Sequence, residues 1–156
     1  MDDVQVTQIS DVEQTYRETG DRLWWALLGY TGDREIASDA TAEAFARALS
    51  TVETIRDPVA WVWRVAFRIA TVELRDARRP VIDDAPSYET DDSALAVMVA
   101  LKRLSINQRA VLVLYYLEDR PTKEIAGLLG MSAATVSVHL HRARRRLRTV
   151  LGDDDA

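Results

Sequence analysis

Thr122-Lys123-Glu124-Ile125-Ala126-Gly127-Leu128-Leu129-Gly130-Met131-Ser132-Ala133-Ala134-Thr135-Val136 is the stretch that decides the fold. Ile125, Ala126 and Leu129 recur at the spacing of one helix face. Gly130 stands where a helix closes on a left-handed residue, and Ser132 is an N-cap for a second helix. A short helix, a tight glycine turn and a capped second helix make a helix-turn-helix, and the small Ala126 lets the two helices cross closely. In that motif the second helix enters the DNA major groove.

Working outward, the second helix continues to about Leu151 and sorts into two faces at about 100° per residue. Val136, Leu140, Ala143, Leu147 and Val150 make an apolar seam. Ala134, Val138, His141, Arg145 and Arg148 lie opposite, flanked by Thr135, Ser137 and Arg142. Small and hydroxyl side chains come early and arginines late. That order suits a recognition helix, whose first turns approach base edges while later arginines reach phosphates. The plainer reading is an amphipathic helix with a basic end favoured by its dipole. The turn and caps ahead of it favour DNA. His139 and His141 point to different sides, so they do not suit a shared metal ion.

Upstream, Ser105-Ile106-Asn107-Gln108 is a capping box that opens a helix to about Leu117. Ala94 to Leu104 forms another helix, and Pro121 marks the start of the motif's first helix. Residues 81–93 carry five acids, no base and Pro86, with no helical or strand period, and read as a flexible acidic linker. Before it lies a second block of three helices. The first, from about Asp11 to Tyr30, should bury Val12, Tyr16, Leu23, Leu27 and Tyr30, with Gly20 weakening its middle. The second, from Arg34 to Ser50, carries Ala37, Ala40, Ala44, Phe45 and Ala48 on one side. The third starts at Asp57-Pro58 and runs to about Arg78, with Pro80 stopping it. The fold class is therefore all-α: two small helical domains, 11–80 and 94–151, joined by an acidic strap.

The third helix offers a second candidate surface. Pro58, Val62, Val65, Ile69 and Val72 read as its seam. Arg64, Arg68, Arg75, Arg78 and Arg79 project from another side, with Trp63 and Phe67 flanking the stripe. Arginines beside aromatics suit single-stranded nucleic acid, whose bases stack on rings. Trp61, between stripe and seam, reads as core. On the second helix Asp39, Glu43 and Arg47 recur every four residues, which by itself is an ordinary solvated face.

Composition bounds the rest. The 156 residues include 20 Lys and Arg against 25 Asp and Glu, a net charge of −5, yet residues 94–156 alone carry +4. A dense arginine cluster on an acidic chain points to a local polyanion site. The absence of cysteine excludes a disulfide scaffold, a thiolate metal site and a cysteine nucleophile. No glycine-rich phosphate loop, HExxH or nucleophile elbow appears, so neither an enzyme nor a cofactor is expected. No apolar run is long enough to span a bilayer and the acidic N-terminus lacks signal-peptide order, so the expected location is the cytoplasm.

In their order and spacing these pieces resemble the extracytoplasmic-function sigma factors of bacterial RNA polymerase. Thr31-Gly32-Asp33-Arg34-Glu35 with Ala37, Asp39, Glu43, Phe45 and Arg47 looks like that family's polymerase-docking helix in region 2. Ala60-Trp61-Val62-Trp63-Arg64-Val65-Ala66 looks like its −10 signature. Leu104, Gln108-Arg109, Val111-Leu112, Tyr116-Leu117, Glu124-Ile125-Ala126, Leu129-Gly130, Ser132, Thr135-Val136 and His141-Arg142-Ala143-Arg144 follow its −35-reading region 4. The sequence departs from the family at Ser137-Val138-His139, Arg68 and Val72.

The resemblance implies a specificity subunit without chemistry of its own. Asp39, Glu43, Phe45 and Arg47 would meet the β′ clamp coiled coil of core RNA polymerase, and region 4 would touch the β flap. Ser132, Ala134, Thr135, Ser137, Val138, His141, Arg142 and Arg145 would read the −35 element of promoter DNA. Trp63, Arg64, Phe67, Arg68 and Arg75 would hold the −10 strand, with the Thr51 to Arg56 loop receiving a flipped base. An anti-sigma factor is a further expected partner. A homodimeric helix-turn-helix regulator accounts equally for residues 94–151 but leaves the third helix's arginines and tryptophans without a purpose.

Overall fold

The structure, a computed structural model, describes residues 3–77, 92–150 and 152, and four of its helices begin at side-chain caps that the sequence supplies. They are α1 (Asp3–Thr31), α2 (Arg34–Ser50), α3 (Pro58–Ala77), α4 (Asp92–Lys102), α5 (Ile106–Leu112), α6 (Thr122–Leu129) and α7 (Ala133–Val150); no strand occurs among the described residues. Asp33 Oδ1 accepts from Ile36 N–H at 3.1 Å, and Asp57 Oδ1 from Ala60 N–H at 3.2 Å. The capping box forms in both directions between Ser105 and Gln108. Each cap satisfies donors that the first helical turn leaves without partners.

Helices α1, α2 and α3 pack around one another through small residues. Ala37, Ala40, Ala44 and Ala48 are buried along α2, which lets its backbone approach α1 closely. Val12, Leu23, Leu27 and Tyr30 fill the α1 side, as the periodicity predicts. Tyr16 does not: it is 59% exposed, and its ring lies edge-on against Phe45 at 5.0 Å. Gly20 does not interrupt α1; the Tyr16 ring lies over it where a side chain would stand. Helix α1 also begins two turns earlier than Asp11, at Asp3.

The third helix is rotated from its expected seam. Val62, Trp63, Ala66, Phe67 and Ala70 are buried, whereas Val65 and Ile69 are half-buried and Val72 is exposed. A Trp or Phe removes roughly 150–250 Å² from water, so two aromatics outweigh a stripe of valines when a helix chooses its inner face. Trp61 is half-buried and packs against the core.

In the C-terminal half, α5 passes into a π-helical segment, Val113–Leu117, where an uninterrupted α-helix is expected. Helix α4 starts at Asp92, inside the expected linker. The rest of that linker, and Arg78 and Arg79, lie outside the described residues. The two halves do not sit apart as separate bodies. The buried residues form one continuous core, and α6 packs on α3 while α5 and the π segment pack on α1.

Candidate nucleic-acid interface

Gly130 ends α6 at φ 66°, and Met131 N–H bonds back to the Ala126 carbonyl at 3.1 Å. Only a residue without a Cβ adopts this left-handed turn readily. Ser132 then caps α7: its Oγ accepts from Thr135 N–H at 3.1 Å and shares a 2.8 Å bond with Thr135 Oγ1. Ile125 and Leu128 on α6 and Val136, Leu140 and Ala143 on α7 are buried between the helices and the core. Leu128 thus takes the inward place expected of Leu129, which packs only partly.

With that seam buried, α7 turns one continuous face to solvent. Ser132, Ala134, Thr135, Ser137, Val138, His141, Arg142 and Arg145 are all exposed, and Arg148 continues the line. The arginine cluster is not uniform. Arg144 turns back, its Nε donating to the Tyr116 hydroxyl and its guanidinium lying 5.4 and 5.5 Å from the Tyr115 and Tyr116 rings. That bond to Tyr116 holds the Arg144 pKa above its ordinary value. Arg146 Nε donates to the Arg103 carbonyl at 2.8 Å. Arg142, Arg145 and Arg148 are left projecting outward, a division that charge counting does not reveal.

Beside α7 lies an apolar groove of about 420 Å³. Val97, Leu101, Leu112, Val113, Leu117 and Leu147 line it, with Tyr116, Arg144 and Arg148 completing its wall. The sequence offers no direct sign of it, because its lining comes from three helices and the π segment.

On α3, Arg64, Arg68 and Arg75 are exposed along one side, as expected. Trp63 and Phe67 are not beside them at the surface. Each is 1% exposed, and this corrects the expectation of a stacking surface built from these rings. Trp63 Nε1 donates to Thr19 Oγ1 at 3.0 Å, Phe67 stacks between Trp63 and Tyr30, and the Arg120 guanidinium covers the Trp63 ring at 4.8 Å.

The third surface is on α2. Asp39, Glu43 and Arg47 are exposed, and Arg47 Nε bonds Glu43 Oε1 at 2.9 Å. Phe45 is buried against Tyr16, so it supports the helix from inside and is not part of the outer face. Sequence reasoning missed Glu73. Its pKa is raised, first by burial and then by Asp39, Asp33, Glu35 and Glu43, which together make this side strongly negative. The rotated α3 seam is what turns Glu73 towards α2.

The Thr51 to Arg56 loop has a support that no local pattern announces. Gln8 donates from Nε2 to the Glu53 carbonyl and accepts from Ile55 N–H at Oε1, both at 3.0 Å. The early start of α1 is what delivers Gln8 to the loop. Ile55 is buried, while Val52 is 88% exposed.

Comparison with known proteins covers the same two halves. The Sigma-70 region 2 family matches residues 15–80, and Sigma-70 region 4 matches residues 94–147. The RNA polymerase sigma-E factor of Streptomyces antibioticus is 32% identical over 95% of this chain and 88% of its own length. The ECF RNA polymerase sigma factor SigL of Mycobacterium tuberculosis is 34% identical over 87% of this chain and 86% of its own. Among solved structures, the sigma factor RpoE bound to the anti-sigma factor NepR from Bartonella quintana has the same fold. Its TM-score is 0.72 at 21% identity, over 92% of this chain and 98% of that one.

Proposed function

Because this chain belongs to the extracytoplasmic-function sigma factors of RNA polymerase, we propose that its three exposed faces divide the labour of starting a transcript. The protein directs core RNA polymerase to promoters through a region 2 and a region 4. The outer face of α7 reads the −35 element. Ala134, Thr135, Ser137 and Val138 approach base edges, while His141, Arg142 and Arg145 follow along the groove and backbone. Ser137, which can donate or accept, sets preference at that element.

Arg64, Arg68 and Arg75 track the −10 strand, and the loop clamped by Gln8 receives an extruded base. Such extrusion costs a few kcal/mol of stacking that the pocket must offset. The negative face of Asp39, Glu43 and Glu73 meets a basic stretch of the polymerase clamp. The apolar groove receives an apolar segment of the β flap. An anti-sigma factor of the kind seen with RpoE would find these same faces. The chain acts in the cytoplasm, where polymerase and chromosome are.

The observation that carries this reading is the ordered face of α7, small and hydroxyl residues first and outward arginines later, held by the Gly130 turn and the Ser132 cap. The test is run-off transcription from a genomic promoter library with purified core polymerase and the full chain. Specific transcripts that depend on the chain are expected. A polymerase that neither binds the chain nor starts a transcript in its presence overturns the reading.

A further inference from the structure

The Thr51 to Arg56 loop is fixed at its two ends by the helices beside it. Thr51 N–H closes the last turn of α2 on the Arg47 carbonyl at 2.9 Å, and Thr51 Oγ1 accepts from Glu53 N–H at 3.2 Å. At the other end Asp57 caps α3. Between these points the chain forms no regular structure, so its shape depends on whichever groups answer its backbone.

Gln8 answers it from 45 and 47 residues away. Its Nε2 donates to the Glu53 carbonyl and its Oε1 accepts from Ile55 N–H, both at 3.0 Å. One planar carboxamide thus holds a carbonyl and an N–H two residues apart, as the backbone of a neighbouring strand would. Asn is a methylene too short to make both bonds, and an ionised Glu carries no donor for the Glu53 carbonyl. Ile55 is buried, which partly shields its bond to Gln8 from water.

Thr54, between the two bonded residues, is left out of the bracket. It is exposed, and its N–H, carbonyl and hydroxyl make no hydrogen bond among the described residues. It therefore offers a donor, an acceptor and a hydroxyl that can be either, on a loop pinned on both sides of it. A base taken out of the stack is read by hydrogen bonds to its exposed edge, which is the chemistry that Thr54 supplies.

Resting on the reading of this loop as the receiver of an extruded −10 base, we propose that Gln8 is a positioning residue for −10 recognition and that Thr54 is the residue it presents to the base. Gln8 itself touches no DNA. It holds the loop in its receiving shape beforehand, so that the loop need not be ordered while the promoter opens. The first turns of α1 are thereby part of the −10 site.

The test uses the full chain with core polymerase and promoters that carry each of the four bases in turn at every −10 position. Gln8→Ala and Gln8→Glu should each cut the preference for the favoured base at least fivefold at one position. Preference at the −35 element and affinity for core polymerase should not change. Thr54→Val, which keeps the side chain's size and removes its hydroxyl, should alter preference at that same position. Full preference in both Gln8 variants overturns the positioning role. A loss spread evenly over all −10 positions, as a merely structural residue would give, overturns it too. An effect of Thr54→Val at another position, or none, removes Thr54 from the proposal. If the unsubstituted chain starts transcripts with no base preference at any −10 position, the reading of the loop itself falls.

A second measurement needs no DNA. In the free full chain, amide hydrogen exchange at Ile55 should be at least tenfold slower than at Thr54 once intrinsic rates are allowed for. In Gln8→Ala it should rise at least tenfold, while Val62 and Ala66 on α3 keep their protection. Should Gln8→Ala loosen α3 as well, Gln8→Asn, which keeps a carboxamide but cannot reach both partners, takes its place. Equal exchange at Ile55 and Thr54 in the unsubstituted chain overturns the proposal whatever the promoters show.

Discussion

Helices α3 and α7 are both basic and amphipathic, and both are proposed to face nucleic acid, yet one hides its aromatics and the other has none to hide. On α7 the apolar seam is a single stripe, Val136, Leu140 and Ala143, and no large ring competes with it. On α3 two stripes compete, and the one holding Trp63 and Phe67 goes inward. The comparison teaches that a helical wheel is decisive when only one face can be buried. Where two can, the larger side chains take the core and the surface reading must move with them.

The largest expected effect breaks the comparison at its aromatic side. Trp63→Ala should destabilise the fold by about 3–5 kcal/mol, since it empties a packed site and leaves Thr19 without its indole donor. Val138→Ala, on the exposed face of α7, should change stability by less than about 0.5 kcal/mol. Chemical denaturation of both variants checks this. Near-equal midpoints would mean that Trp63 is not a core residue.

A smaller effect sharpens the contrast within α7. Arg145→Ala should weaken promoter binding by the polymerase complex at every sequence and lower the salt slope by about 1, as expected for one lost phosphate contact. Arg146→Ala should leave that slope unchanged, because its guanidinium is engaged with Arg103. Binding titrations over a range of salt decide it. A slope that falls equally for both would erase the division of the cluster.

The smallest effect lies where the two halves meet. Burial raises the Glu118 pKa more than Arg22 lowers it. A carboxylate raised in the folded state adds stability below its unfolded pKa and loses it as pH rises through the folded value. Glu118→Gln cannot ionise, so it should melt slightly higher than the parent at neutral pH. That advantage should shrink as acid protonates Glu118. Thermal melts at several pH values test this, and a variant that melts lower at neutral pH would show that Arg22 outweighs burial.

Much of the candidate site was legible because its determinants are local. Ser105 with Gln108, Asp33 with Ile36 and Ser132 with Thr135 are partners three residues apart, and such pairs fix helix ends before any tertiary contact forms. The exposed line from Ser132 to Arg145 follows from those ends and a period of 3.6. Phe45 was less legible: its spacing with Asp39, Glu43 and Arg47 suggests one surface, while its burial against Tyr16 shows that it serves the inside. Gln8 and Glu73 carried no signal, because each matters only through an element far along the chain.

By itself the sequence determined an all-helical chain, the helix starts capped by Asp33, Asp57, Ser105 and Ser132, the turn at Gly130 and the outward face of α7, since these depend on backbone preferences and neighbours within a turn or so. Tertiary structure alone decided which stripe of α3 is buried, which arginines of α7 are tied down, and that the two halves share a core. Arg109 meets Tyr30 across 79 residues and Arg22 meets Glu118 across 96. Contacts at such separations are chosen by how well whole helices pack against each other, a competition among surfaces that no local pattern records.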